Sequence, residues 1–278
     1  MRRIALAAAA LCVSSQAFAW GPEGHSIVAE IAQRRLNAAA AAMVEKLLGR
    51  GHSLASVGSW ADDVRNERPA TYNWHFVSIP LALSDYQPGR DCRDDAARGD
   101  CVVKEIARLK RELRCAETDA QKAEALKYAV HFIGDIHQPL HAVLDDHGGN
   151  DFKVDVFMRG QVCLGKCVPQ RTPSDLHTVW DVTLITRTVW AWGAYVDRLE
   201  NGWLKTNTDP GDMAPESWAV TAHAAAREVW NAVPATMTLD DDYYRTALPV
   251  LDRQLGLGGL RLAKFLNDAY ASTDCTAP

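Results

Sequence analysis

The sequence predicts a mainly α-helical single domain with one short β-hairpin. Three observations carry this reading. Seven segments repeat apolar residues at i, i+3, i+4 and i+7, the spacing that lines one face of an α-helix. One run alone alternates apolar and polar residues, the period of a strand. No internal repeat, low-complexity tract or linker divides the chain, and 278 residues with 47% hydrophobic content can bury one large core.

In chain order, helical periodicity runs through residues 25–36 (HSIVAEIAQRRL), 53–65 (SLASVGSWADDVR), 102–113 (VVKEIARLKREL) and 124–136 (EALKYAVHFIGDI). It returns at residues 174–192 (SDLHTVWDVTLITRTVWAW), 217–233 (SWAVTAHAAAREVWNAV) and 243–271 (YYRTALPVLDRQLGLGGLRLAKFLNDAYA). Residues 83–99, rich in Asp, Arg, Gly and Pro, read as an irregular excursion. After His147-Gly148-Gly149-Asn150, residues 152–165 (FKVDVFMRGQVCLG) alternate and turn at Arg159-Gly160, which predicts the hairpin.

The N-terminus reads as a signal peptide over residues 1–19. Arg2 and Arg3 form a basic start, residues 4–13 are apolar, and Ala17-Phe18-Ala19 is an A-x-A cleavage site, so the mature domain is expected to span 20–278. Ten apolar residues are too few for a bilayer that needs about 20, and no stable membrane association is expected. Cleavage removes two arginines and no acid, so the formal charge moves from -5 to -7. A chain this acidic is no lysine-striped nucleic-acid binder; if it handles polyanions, bound metal is one source of local positive charge. Cys12 leaves with the leader. The six remaining cysteines fit disulfides in a periplasmic or extracellular compartment, with Cys92–Cys101 and Cys163–Cys167 as local pairs.

Residues 131–141, HFIGDIHQPLH, place three histidines and an aspartate in an apolar run. Burying such groups unpaired costs several kcal/mol, and a metal ion satisfies imidazole and carboxylate together. His131 and Asp135 share a helix face at i, i+4, with Gly134 adding little bulk between them. Pro139 disfavours helix at Gln138, so His141 is expected to turn away and serve a second ion. His177 and Asp181, another i, i+4 pair, would complete that site as two imidazoles and one carboxylate, leaving room for water or substrate. Upstream, Asp62 and His75 lie beside tryptophans and would join His131 and Asp135 in a two-His, two-Asp site. Taken singly, Asp62 also fits a solvated acid, His75 a satisfied core histidine and His25 a surface histidine. His137 lies about 240° round the helix from His131 and reads as structural or orienting. His147 reads as an exposed loop residue, His52 and His223 as surface residues, and most of the nine tryptophans as core.

Together WGPEGH from Trp20, SWAD, WHF, HFIGDIHQPLH, GGN and LHTVWD resemble the zinc-dependent nucleases of the S1/P1 type, whose motifs here extend from residue 20 to 181. The resemblance implies the related phospholipase C/P1 nuclease-like fold and three zinc ions. The first would be held by Asp62, His75, His131 and Asp135, the second by His141, His177 and Asp181. The third would take the α-amino nitrogen and carbonyl oxygen of Trp20, His25 and a bridging Asp135. It further implies a monomeric endonuclease acting through metal-activated water on single-stranded DNA and RNA, with 5′-phosphate products and 3′-nucleotides as additional substrates. Asp62 and Asp135 would be catalytic through the metals. Arg65 would bind the scissile phosphate where the family often has Lys, and Asn150 would contact the nucleobase. Ser78 departs from the acid common near the base pocket in eukaryotic relatives, which leaves base preference open. The alternatives are a zinc-dependent phospholipase C, which typically has Glu where Asp181 stands, and a non-catalytic secreted zinc-binding protein.

Overall fold

The structure, a computed structural model, describes residues 20–158, 170–272 and 274–275. Its helices follow the apolar periodicity. Helix α1 (Pro22–Gln33) begins with proline at its first turn, where the missing N–H needs no partner. Helix α2 (Ala38–Leu48) is capped by Asn37, whose side chain accepts from the Ala40 N–H at 2.9 Å. Helices α3 (Trp60–Arg65) and α4 (Pro88–Asp91) are short. Helix α5 (Val102–Cys115) leads to α6 (Asp119–Asp135), which opens with a Thr118/Gln121 capping box. A one-turn element, α7 (Asp146–Gly149), holds His147 and Gly148 in left-handed geometry. Next come α8 (Leu176–Thr178), a π-helical turn over Val179–Thr183, and α9 (Leu184–Thr188). Helices α10 (Trp192–Asn201), α11 (Pro215–Asn231) and α12 (Asp241–Tyr270) close the described chain.

The core forms where α6 packs against α1, α2, α5 and α12. Helices α1 and α12 approach closely because α12 carries Gly258-Gly259: a Cβ on Gly259 would lie 2.3 Å from Ile31 Cγ2. Along the C-terminal half of α6 nearly every residue is buried, so polar groups there must find partners inside the protein.

The predicted architecture stands, with instructive departures. Residues 53–65 do not form one helix: Gly58-Ser59 divides a 3-10 turn, Leu54–Val57, from α3. The segment 174–192 starts as strand and is broken again at Val189–Ala191 before α10. Strand β1 (Lys153–Val156) forms as expected, but among the described residues its antiparallel partner is β2 (Thr172–Asp175), in register Lys153↔Asp175. A parallel strand, β3 (Thr238–Leu239), joins its other edge. The predicted turn at Arg159-Gly160, the Cys163–Cys167 pair and the leader lie outside the described residues. Residues 83–99 are irregular apart from α4 and an Asp95↔Gly99 bridge, and the expected Cys92–Cys101 disulfide closes their end. A second disulfide, Cys115–Cys275, ties the end of α5 to the end of the chain. His52 is exposed as read, but His223 is not a surface residue. It is buried on α11, its ring nitrogens 2.8 Å from Ala142 O and 2.9 Å from Leu83 O. Among the described residues no helix is long and apolar enough to cross a membrane.

Candidate metal centre

The last turn of α6 turns inward. His131 and Asp135 share a buried face, with Nε2 and Oδ2 3.2 Å apart. The 3-10 segment Pro69–His75 brings His75 Nδ1 to 3.0 Å from Asp135 Oδ2 and 3.1 Å from His131 Nε2. Helix α3 brings Asp62, whose Oδ1 lies 3.5 Å from both of those imidazole nitrogens. From α1 comes His25, stacked on the His131 ring at 3.9 Å and 16°, with Nε2 3.3 Å from Asp135 Oδ1. This stack needs Gly134, because a Cβ there would lie 2.6 Å from His25 Nδ1.

Asp135 therefore faces two ways. Its Oδ2 meets His75 and His131, while Oδ1 meets His25 and, at 3.8 Å, His141. Helix α6 ends at Asp135, and the 3-10 turn Pro139–Ala142 redirects His141 toward a second cluster, as Pro139 led us to expect. There the His141 and His177 rings stack at 5.0 Å, and His177 Nε2 is 3.3 Å from Asp181 Oδ2. Trp20 is fully buried, and the N–H of its neighbour Gly21 donates to the Asp181 carbonyl at 3.0 Å. Eight of the nine positions read as ligands thus come together, in three donor groups: His25/Asp62/His131, His75/His131/Asp135 and His141/His177/Asp181.

Main-chain carbonyls orient three of these rings. His131 Nδ1–H donates to Gly58 O at 2.6 Å, His141 Nδ1–H to His75 O at 2.9 Å, and His177 Nδ1–H to Gly148 O at 2.7 Å. A carbonyl only accepts, so each Nδ1 carries a proton and, in the neutral ring, Nε2 holds the lone pair that a cation would take. The break at Gly58-Ser59 sits where it places the Gly58 carbonyl over His131. Gln138 holds Asp181 in the same way, donating Nε2 to Oδ1 at 2.6 Å. His137 turns away from both clusters, as its helical angle predicted: Nδ1–H donates to Ile133 O at 2.6 Å and Nε2 accepts from Arg261 at 2.8 Å.

The donor set fits a cation. Buried His25 Nδ1 and Nε2, Asp62 Oδ1, His75 Nε2 and Asp135 Oδ1 lack hydrogen-bond partners, an arrangement whose desolvation a metal would offset. Burial lowers the pKa of His25 and His75 and pushes His141 down to about 3, which keeps these imidazoles neutral and able to donate a lone pair. Burial works against charge on His131 as well, but Asp135 and Asp62 outweigh it and raise its pKa well above the ordinary value. In return His131 holds both carboxyls below the usual range despite their burial, Asp135 most strongly. The protein thus stabilises positive charge where His131 Nε2 points. At Asp181 burial dominates, reinforced by the charges of Asp135 and Asp62, and raises the pKa well above normal; a nearby cation would keep it ionised.

A cavity of about 600 Å³ opens onto His75, His141 and His177. Arg65 and Asn150 both line it, as does Ser78. The Arg65 guanidinium lies 4.1 Å from the centroid of the Tyr72 ring and donates to Tyr72 O at 3.2 Å. Asn150 Nδ2 donates to His147 O at 2.7 Å. His147 is exposed, as expected, and pairs with Asp151 at the cavity mouth. Tyr72 and Arg98 also line the cavity, and no sequence pattern marks them; an arginine inside the cysteine-bracketed run CRDDAARGDC is the only hint.

The model of the S1/P1 Nuclease family matches residues 20–271. Endonuclease 4 of Arabidopsis thaliana is 32% identical to the chain over 290 residues, covering 92% of this chain and 91% of that protein. Nuclease P1 of Penicillium citrinum is 28% identical over 283 residues, covering 91% and 98%. Nuclease S1 of Aspergillus oryzae is 26% identical over 298 residues, covering 96% and 97%. A family match that spans the helical core and both donor clusters shows that the chain belongs to the zinc-dependent S1/P1 nuclease family and is an enzyme hydrolysing phosphodiester bonds of nucleic acid.

Proposed function

We propose that the protein is an exported endonuclease and phosphodiesterase that uses three zinc ions to hydrolyse single-stranded DNA and RNA to 5′-phosphate products, with 3′-nucleotidase activity. The supporting observation is the division of Asp135, whose two oxygens face different donor groups. In this reading Asp62, His75, His131 and Asp135 hold one ion, and His141, His177 and Asp181 a second. His25, Asp135 and the freed α-amino nitrogen and carbonyl oxygen of Trp20 hold the third. Bound zinc would acidify water toward neutrality and offset charge on the phosphoryl oxygens.

The chain's own residues bind and orient. Without metal, charged His131 outweighs the desolvation of Asp62 and Asp135 and keeps both anionic; a cation bound at His131 Nε2 would displace that proton and take over its role. Arg65 sits one helical turn after Asp62 and presents a guanidinium, whose planar fork matches two phosphate oxygens at once. Asn150 commits Nδ2 to His147 O, which leaves Oδ1 to accept from a nucleobase. A base within a duplex reaches such a group only by unstacking, at roughly a few kcal/mol, and this favours single strands. The disulfides Cys92–Cys101 and Cys115–Cys275 support an oxidising compartment after removal of residues 1–19. We take the active form to be a monomer.

Metal analysis of purified active protein, with parallel assays on single-stranded DNA, RNA, duplex DNA, a 3′-nucleotide and phosphatidylcholine, tests the reading. Three zinc ions and faster cleavage of single strands than of duplex are expected. One zinc ion per active chain, or hydrolysis of phosphatidylcholine without nucleic-acid cleavage, would overturn it.

A further inference from the structure

We infer that Arg98, with the disulfide-closed loop that carries it, forms a binding subsite for a second phosphodiester of the same substrate strand, outside the reacting one. The inference rests on the proposed action on single strands.

The loop's own acids leave Arg98 unclaimed. Asp94 pairs with Lys104, Asp95 Oδ1 accepts from the N–H groups of Ala97 and Arg98, and Asp100 Oδ1 accepts from the Cys101 N–H. Asp151, across the cavity, is committed to His147. Among the described residues no carboxylate lies within ion-pair distance of the Arg98 guanidinium, whose recorded contact is the Tyr72 ring, 5.0 Å from the centroid. An exposed, unpaired guanidinium beside a cavity is a ready partner for phosphate.

The backbone fixes where that group stands. The Asn73 N–H donates to Arg98 O at 2.8 Å and Asn73 Nδ2 to Gly99 O at 3.1 Å, so the loop docks on the segment that also carries Tyr72 and His75. Gly99 makes the docking possible. Its φ is +86°, and a Cβ there would lie 2.4 Å from both Ala70 O and Trp74 Nε1. The Cys92–Cys101 bond then closes the loop behind it. These contacts fix the backbone of Arg98 at the cavity rim.

Two cationic groups therefore stand over one ring, Arg65 at 4.1 Å and Arg98 at 5.0 Å. Tyr72, 41% exposed, shares its ring with both guanidinium groups. It spaces two anion-binding groups along one cavity wall. Arg65 stands beside Asp62 and the reacting phosphate; Arg98, reaching in from the loop, takes a neighbouring one. A substrate with a single phosphate would fill only the first.

The test compares wild type with Arg98→Gln on two substrates, a single-stranded oligonucleotide and a dinucleoside monophosphate that carries only the scissile phosphate. For the oligonucleotide, KM should rise about tenfold with kcat unchanged, and the salt slope of log KM should flatten by about 0.7, the value for one lost phosphate contact on a single strand. Kinetics on the dinucleoside monophosphate should not change. Gly99→Ala, which pushes the loop off its seat with Arg98 still present, should reproduce the oligonucleotide KM effect. An unchanged oligonucleotide KM in Arg98→Gln, or equal rises on both substrates, overturns the subsite alone. Wild-type protein that cleaves neither substrate overturns the proposed function, and the subsite with it.

Discussion

Replacing Gly134 with alanine probes the centre at its tightest point. The added methyl would sit 2.6 Å from His25 Nδ1 and 3.0 Å from Cε1, whereas ordinary contact begins at 3.4 Å, so the ring must retreat by about 0.8 Å. It has nowhere to go: His25 is fully buried and stacked 3.9 Å from His131. Alanine is favoured over glycine inside a helix by roughly 0.5–1 kcal/mol, and overpacking costs roughly 1–3 kcal/mol, so the net loss of stability should stay near or below about 2 kcal/mol. Function should suffer more, since misplacement of order 1 Å costs about 10²-fold in rate. We therefore expect a folded Gly134→Ala protein with turnover on single-stranded DNA reduced about 100-fold and one zinc fewer than wild type. Turnover, metal content and thermal unfolding measured on the same preparation decide the matter. A variant with full metal and wild-type turnover would refute the placement of His25 at the centre.

Asp135→Asn should abolish nearly all activity and lower zinc content, because a neutral amide cannot serve two donor groups as the divided carboxylate does; near-normal turnover with metal retained would contradict the bridge. One extra alanine before Trp20 should leave a peptide nitrogen, a poor ligand because its lone pair is delocalised, and so remove one zinc and most single-strand cleavage; equal zinc and equal rates would show that the terminus is not a ligand. Replacing Cys115 and Cys275 together by serine should cost more stability than replacing Cys92 and Cys101. The closed loops of 160 and 9 residues correspond to upper values of about 5 and about 2.5 kcal/mol, and a reversed order in denaturant unfolding would count against the chain-entropy account.

Much of the centre was legible because ligand spacing and helical period coincide. His131/Asp135 and His177/Asp181 repeat at i, i+4, and Pro139 announces the redirection of His141. Helix α2 was not legible: AAAAAMVEKLL presents apolar residues all round and so defines no face. Residues 53–65 kept a helical period across Gly58-Ser59 although the chain breaks there, because periodicity records which side chains face the core, not whether the backbone bonds continue. Long-range pairings left no local trace. The Cys115–Cys275 bond and the β1–β2 pairing join segments that nothing in the intervening sequence connects. His223 illustrates the same limit, since a histidine among alanines looks like a surface residue until Ala142 and Leu83 bring their carbonyls to it. Arg98 was invisible for a different reason: its meaning lies in the acids of its own loop being occupied elsewhere.

The carbonyl groups that orient His131, His141 and His177 carry an implication for mutability. They belong to Gly58, His75 and Gly148, and every amino acid has the same carbonyl. No side-chain exchange can delete such an acceptor; it can only be displaced by moving the main chain. Imidazole orientation in this enzyme is therefore encoded in the path of three connecting segments. A screen of point substitutions should find few variants that weaken metal retention through these contacts, whereas a one-residue insertion or deletion beside Gly58 or Gly148 should release zinc while the eight clustered histidines and aspartates remain in the sequence.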